Sequence, residues 1–530
     1  MLASRVLQRG GLVCSRQAAC SLPFTVALRS YNSKDHHPDL HQTTPAKIKK
    51  TNNPPNDVHS QAAAAPPPQK ALLSPKVPGV VGHHQTLVHL PQKTVADNLP
   101  VTYSDISRAA IAIHTGVRRT SCDRSYFLSE LCGMNVFLKN EFMQFTGSFK
   151  ERGARFTLMQ LKREEHNGTS AFSSSRGVIA ASAGNHALAL AYHGSLLNVP
   201  ITVVMPEVAP LAKVDKCKRF GARVIIAGAH IGESKSIAEG MMQKEGLVYV
   251  NGYDDPNIIA GAGTLGIEIV EQCPQVDVVV VPVGGAGLIA GVSCAVKTLK
   301  PECKVYGVEP RFAASFTRAL EVGKPEAVKI EPTLADGLAV PMVGPHAFKV
   351  AREYVDDCFL ATEKEIAVAC LRLIENEKMV VEGGGATGLT AILPGGPLDV
   401  PEMKGKTVVI PLCGGNIDTT VLGRVIDRGL AADHRLIRFV ATVSDRPGGI
   451  AKLTTLLAVN GASIKDIYHE RAWLHSSISN VQVKVIVEMQ GYEHCKILRN
   501  AMKEAGYPVL WDEDMTDSGD IVGTTHKVIL

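Results

Sequence analysis

No apolar run in this 530-residue chain reaches the ~20 residues that a bilayer-spanning helix needs, so no membrane span is predicted. Cysteine is present but unpatterned. The 12 cysteines form no CxxC pair and no zinc-ligand spacing, which reads as reduced thiols inside a cell rather than a metal knuckle or a disulfide framework. An excess of one charge is also missing. With 56 basic and 51 acidic residues the net charge is only +5, much of it in the first hundred positions, so no basic face for nucleic acid is implied. What remains is ordinary for a soluble protein: 45% apolar and 20% charged residues, enough for a sizeable core. The length predicts two or three domains.

One local absence is informative. No acidic residue precedes Asp35, whereas Arg5, Arg9, Arg16, Arg29 and Lys34 all lie in that stretch. This composition is that of a mitochondrial presequence, with Arg29-Ser30-Tyr31 resembling a matrix processing site. Residues 1–31 are therefore assigned to a presequence and the protein to the mitochondrial matrix, the cytoplasm being the alternative. A secretory signal competes, but Pro23 interrupts the short apolar run. Residues 32–98 are rich in Pro, Gln, His, Asn and Ala and cannot bury enough apolar surface to offset their ordering entropy. They read as a disordered linker, and the pairs His36-His37 and His83-His84 read as unliganded.

From residue 99 to 430 helical and extended segments alternate. Segments 106–114, 153–162 and 185–196 have helical patterns; 136–139, 177–182 and 201–205 are extended. Short Val/Ile strands separated by helices predict an α/β body with buried parallel sheets and helices on both faces. Near Ala432 the pattern changes. Strands at 436–443, 463–470, 481–488 and 508–511 with helices at 450–460 and 492–505 give a βαββαβ order within a module at 434–512. Residues 513–530 read as a tail.

Chemistry concentrates in four runs. A lysine sits in Thr146-Gly147-Ser148-Phe149-Lys150, and three glycine-bearing runs follow: Ser182-Ala183-Gly184-Asn185-His186, Val283-Gly284-Gly285-Ala286-Gly287 and Leu412-Cys413-Gly414-Gly415-Asn416. The last three follow or adjoin extended apolar stretches. Glycine at the carboxyl end of a strand lets backbone approach a bound group, and a helix starting there points free N–H groups at an anion. A lysine amine condenses with an aldehyde. Backbone cradles plus one such amine point to pyridoxal phosphate, which needs both. A surface lysine is the competing reading for Lys150, and a satisfied turn asparagine that for Asn185.

These runs, in this order, resemble the fold-type II pyridoxal-phosphate enzymes, in particular the threonine dehydratase (threonine ammonia-lyase) and serine racemase group, over about residues 100–430. The resemblance implies two α/β lobes with the cofactor between them. It implies that Lys150 is the catalytic and cofactor-tethering lysine, with Phe149 beside it; Glu151 and Arg152, outside that match, read as solvated. It places the substrate carboxylate on Ser182, Ala183, Gly184, Asn185 and His186. Asn185 takes the cofactor's phenolic oxygen, Gly284, Gly285, Ala286 and Gly287 the phosphate, Cys413 the pyridine nitrogen and Glu382 the ring edge. Ala286 departs from the family's usual four glycines, a change tolerated unless the position needs positive φ. In the racemase branch Glu309 belongs to a divalent-cation site whose aspartate position is Ser315 here, so no metal is assigned.

The implied activity is deamination of L-threonine to 2-oxobutanoate, and of L-serine to pyruvate, by an amino-acid-binding homodimer or homotetramer. A serine or threonine racemase is the first alternative. It needs a proton donor where this chain has Ala183. A catalytically silent amino-acid sensor is the second, since the C-terminal module, with its Asp445-Arg446-Pro447-Gly448-Gly449 turn, resembles an ACT domain. That resemblance places an effector at Asp445, Pro447, Gly448 and Gly449.

Overall fold

The computed structural model describes residues 98–169, 172–471 and 479–512. The presequence, the tail and all but Asn98 of the linker lie outside the described residues.

Strands β1 (Cys122–Arg124) and β2 (Asn135–Lys139) open the body as an antiparallel pair. Four strands then form a small, wholly parallel sheet: β3 (Val178–Ala181), β4 (Ile201–Met205), β5 (Arg223–Ile226) and β6 (Val248–Tyr249), in the order β5-β4-β3-β6. Strand β4 is Ile-Thr-Val-Val-Met, buried at every position. Helices cover both faces of such a strand, so the alternation of a half-exposed strand disappears. The chain then builds the larger sheet from β7 (Val278–Pro282), β8 (Lys304–Pro310), β9 (Asp357–Ala361) and β10 (Thr407–Pro411). Its order is β1-β2-β10-β7-β8-β9, parallel throughout except at β1. The two-sheet α/β architecture expected from the sequence is the one observed.

Helices Lys150–His166, Pro256–Gln272 and Gly287–Leu299 pack almost backbone to backbone. A Cβ on Gly291 would lie 2.4 Å from the Ile259 carbonyl oxygen, and one on Gly261 would lie 2.6 Å from that of Arg152. Hydrogen alone fits there.

The remaining strands form a separate antiparallel sheet: β11 (Leu436–Ser444), β12 (Ser463–Glu470), β13 (Asn480–Glu488) and β14 (Val509–Trp511), ordered β12-β13-β11-β14. Helices Gly449–Val459 and Tyr492–Glu504 complete a βαββαβ unit. In β13, Val481, Val483, Val485 and Val487 point into the core with Phe439, Leu457 and Leu498, whereas Gln482 and Lys484 point away. Period-two alternation is the mark of a sheet covered on one face, and it is why these strands were legible.

Candidate active site

Lys150 is the first residue of its helix, three positions earlier than the helical pattern alone placed the start. The turn before it docks on the segment leaving β10. Ser148 pairs with Gly414, Phe149 N donates to Cys413 O at 3.1 Å, and Gly415 N donates to Gly147 O at 2.9 Å. Two runs far apart in sequence thus become one antiparallel contact. The Lys150 amine donates to Gly252 O at 2.6 Å and lies 5.1 Å from the centre of the Phe149 ring. Burial of the amine pushes its pKa down to about 8, so a reactive neutral fraction exists near neutral pH.

Asn185 opens the helix Asn185–Leu197 directly after β3. Its Nδ2 donates to Glu382 Oε1 at 2.6 Å, and its Oδ1 accepts from Asn416 Nδ2 at 2.9 Å. In the turn before it, Ser182 Oγ accepts from Gly184 N at 3.3 Å, and Ala183 is half-buried. His186 is buried. Its Nε2 faces Val250 O at 3.2 Å and must donate, which leaves Nδ1 as a buried acceptor with no partner. Burial and the nearby Lys150 push its pKa down to about 3, so it is neutral.

The run 283–287 follows β7 and leads into the helix Gly287–Leu299, whose first amides have no acceptor on their own helix. Ala286 has φ +67°, so the left-handed requirement that would strain an alanine is real here. A Cβ on Gly285 would stand 2.3 Å from the Tyr253 ring and one on Gly287 2.1 Å from Tyr253 O. The glycine loop is therefore bare backbone on the side facing the segment 251–254. Cys413 is buried past the end of β10, and burial, with Glu141 and Glu382 nearby, pushes its thiol well above the ordinary range. It is a neutral S–H group. Glu382, also buried, is pushed up to about 7 by burial and by Asp336.

Several groups were given no role by the sequence reading, although Asn416 lies within one of its four runs. Asn416 bridges the Lys150 turn and Asn185, donating to Thr146 O at 2.7 Å as well. The segment Asn251-Gly252-Tyr253-Asp254 lies against both Lys150 and the glycine loop. It reads locally as a plain turn, and Asn251 Oδ1 does accept the Tyr253 and Asp254 amides at 3.0 and 3.1 Å.

Glu151 and Arg152 correct an expectation, since both are buried rather than solvated. Glu151 accepts from Thr146 N and contacts His193 Nε2 at 3.2 Å. Arg152 grips Glu141 through two nitrogens at 2.7 and 2.8 Å and Glu268 at 2.7 and 2.9 Å. The Glu309 carboxylate accepts from Phe316 N, Thr317 N and Thr317 Oγ1 at 2.7–2.8 Å, capping the helix Ser315–Val322. Among the described residues no cluster of His, Cys, Asp or Glu is arranged to hold a metal ion.

In the C-terminal unit, Asp445 is half-buried, with Arg471 Nε donating to its Oδ1 at 3.0 Å. Pro447 and Gly448 are exposed, Gly448 has φ +95°, and Gly449 begins the helix.

The Lys150 turn, Asn185, the 283–287 loop and Cys413 all lie at the carboxyl ends of parallel strands or in contact with such an end, where open α/β sheets bind ligands. A desolvated amine, an amide, helix-start N–H groups on a glycine-rich loop and a neutral thiol fit an aldehyde-bearing, phosphorylated, heteroaromatic cofactor. The fold and the site define an enzyme built for pyridoxal phosphate. Residues 113–414 match the family described as pyridoxal-phosphate dependent enzyme, and the chain belongs to that family. It is 40% identical over 409 residues to the L-threonine ammonia-lyase of Thermotoga maritima, spanning 77% of this chain and 99% of that protein. Among solved structures it resembles the processed form of threonine deaminase isoform 2 from Solanum lycopersicum (31% identity, 64% of this chain, 99% of that one, TM-score 0.57). It also resembles serine racemase from Dictyostelium discoideum (33% identity, 60% of this chain, 99% of that one, TM-score 0.54).

Proposed function

We propose that this chain is an L-threonine ammonia-lyase that forms 2-oxobutanoate and ammonia and takes L-serine to pyruvate. The observation that carries this reading is the Lys150 amine, desolvated to a pKa of about 8 and set against the Cys413 loop. When bound, pyridoxal phosphate supplies an electron-withdrawing ring that stabilises negative charge at the substrate Cα. Lys150 tethers the cofactor and, once free, takes the Cα proton. The turn at Ser182, Ala183 and Gly184, with the amides of Asn185 and His186 at the helix start, holds the substrate carboxylate. Asn185 orients the ring through its phenolic oxygen, and Gly284, Gly285, Ala286 and Gly287 hold the phosphate. Cys413, kept neutral by burial, carries no charge with which to hold a proton on the ring nitrogen, which favours elimination over transamination.

Resemblance to both lyases and racemases leaves the reaction to be chosen on chemistry. Alanine at 183 can neither give nor take a proton, which favours the lyase. We further assign residues 1–31 to a mitochondrial presequence and the C-terminal βαββαβ unit to an ACT-type module that binds an amino acid at Asp445, Pro447, Gly448 and Gly449 in a dimer or tetramer. The order of its elements and the exposed turn at a helix start support this assignment.

A coupled assay of 2-oxo acid formation across L- and D-amino acids tests the main reading. L-Threonine and L-serine should be turned over, and Lys150→Ala should abolish turnover without loss of fold. Undiminished turnover in that variant, or D-serine as the main product from L-serine on chiral chromatography, would overturn it.

A further inference from the structure

An amide side chain carries an oxygen on one branch and an NH2 on the other, and only its neighbours distinguish them. At Asn416 one neighbour is decisive. The carbonyl oxygen of Thr146 lies 2.7 Å away and can only accept, so the Asn416 atom facing it is Nδ2. That same nitrogen lies 2.9 Å from the amide of Asn185, so the Asn185 atom turned toward it is Oδ1. The NH2 of Asn185 is left for the opposite side, where Glu382 Oε1 accepts it at 2.6 Å. A single backbone carbonyl therefore settles the orientation of two amides in succession.

The three partners come from three elements. Thr146 belongs to the turn that carries Lys150, Asn185 starts the helix after β3, and Asn416 follows β10. Close approach is possible because residue 147 is a glycine at φ +80°; a Cβ there would lie 2.9 Å from Asn416 Oδ1. Glu151, at the other end of the same turn, takes the Thr146 N–H, so the backbone of Thr146 is held at both its N–H and its C=O.

We propose that Asn416 is a positioning residue for the cofactor site, holding Asn185 Oδ1 so that the Asn185 NH2 stays turned into the site. The proposal rests on the reading that Asn185 donates to the cofactor's phenolic oxygen. In Asn416→Asp, carboxylate oxygens replace the donor. Asn185 can then turn over, its NH2 donating to residue 416 and its oxygen facing the cofactor and Glu382, which below about pH 7 holds a proton to donate. In Asn416→Ala neither orientation is imposed. In both variants the phenolic oxygen loses a held donor, so its proton affinity and the visible absorbance that reports it must change.

The test compares wild type, Asn416→Asp, Asn416→Ala, Asn185→Ala and the Asn185→Ala/Asn416→Ala double variant, each reconstituted with pyridoxal phosphate. The readouts are the absorbance maximum of the bound cofactor, the pH titration of that band, cofactor affinity and the melting temperature. Asn416→Asp and Asn185→Ala should shift the titration in the same direction and weaken cofactor binding by about tenfold, the scale of one lost hydrogen bond to a charged group. Asn416→Ala should add nothing to the band shift once Asn185 is already alanine. If Asn416→Asp fails to fold, Asn416→Ala and the double variant carry the comparison. A wild-type titration retained in Asn416→Asp or Asn416→Ala while Asn185→Ala changes it, or shifts that add in the double variant, would overturn the proposal. A wild-type chain that gives no visible band with the cofactor overturns the site assignment and this proposal together.

Discussion

Replacing Arg152 with methionine removes one charge from a closed set of four. Arg152 and Lys139 face Glu141 and Glu268, and the four charges sum to zero. Arg152, Lys139 and Glu141 are at most 1% exposed, and Glu268 is 16% exposed. Methionine fills most of the volume, so the loss is chiefly electrostatic. Glu141 would keep hydrogen bonds from Thr120 Oγ1 at 2.6 Å and Gln144 Nε2 at 3.2 Å, but it would lose its bidentate partner inside the protein. Breaking a buried pair from one side costs about 3–5 kcal/mol. For a body of roughly 330 residues, at ~2.1 cal/mol/K per residue, that lowers the melting temperature by about 4–7 °C.

The pH dependence sharpens the test. Burial raises the Glu141 carboxyl, but Arg152 beside it more than offsets this, leaving it below its ordinary 4.5. The pair therefore stabilises the fold above about pH 4.5, and that stability is lost as pH falls through the lower folded value. Without Arg152 burial prevails and the folded value rises above 4.5, so the gap between wild type and variant should narrow in acid. Calorimetry at pH 7.5 and pH 5, with Glu141→Gln/Arg152→Met as the charge-paired control, reads this out. The double variant should be more stable than Arg152→Met alone. A fall of less than 2 °C at pH 7.5, or a double variant less stable than the single one, would refute the argument.

Ala286→Gly should be nearly neutral, within about 1 kcal/mol, because relief of left-handed strain offsets the lost methyl burial and the extra chain entropy. Ala286→Val, β-branched at φ +67°, should lose at least about 2 kcal/mol and weaken cofactor binding, as thermal melts and cofactor titration would show. Glu382 holds its proton in the folded chain up to about pH 7 against an ordinary 4.5, so its contribution to stability declines as pH rises between those values. Glu382→Gln should remove that part of the slope, on the order of 3 kcal/mol, seen as a pH-dependent difference in melting temperature between wild type and variant. Branched-chain amino acids or threonine, titrated against the full chain and against one truncated after Ala432, should change activity or assembly only in the full chain. The coupling should be about 1–3 kcal/mol, and equal behaviour of the two would refute a regulatory module.

What could be read from the residues in order was local. Glycines where backbone must approach a ligand, continuous valines in a buried strand and alternating valines in a half-covered one each encode their structure within a few positions. The α/β body and the C-terminal βαββαβ order were legible for that reason, and so was the choice of the four glycine- and lysine-bearing runs as candidates for the site. Strand β1, Cys-Asp-Arg, has no apolar signature and is a strand only because β2 pairs with it. Burial of Arg152 was illegible for the same reason: a charged side chain enters a core only if opposite charges await it, and Glu268 is 116 residues away. Ala286 could be flagged from its neighbours, but its φ is set by how the loop leaves β7. The tertiary structure alone decided that Asn416 meets Thr146, 270 positions earlier, and Asn185, 231 positions earlier. Side-chain orientation of this kind has no local signature, because the atoms that determine it come together only when both sheets have formed.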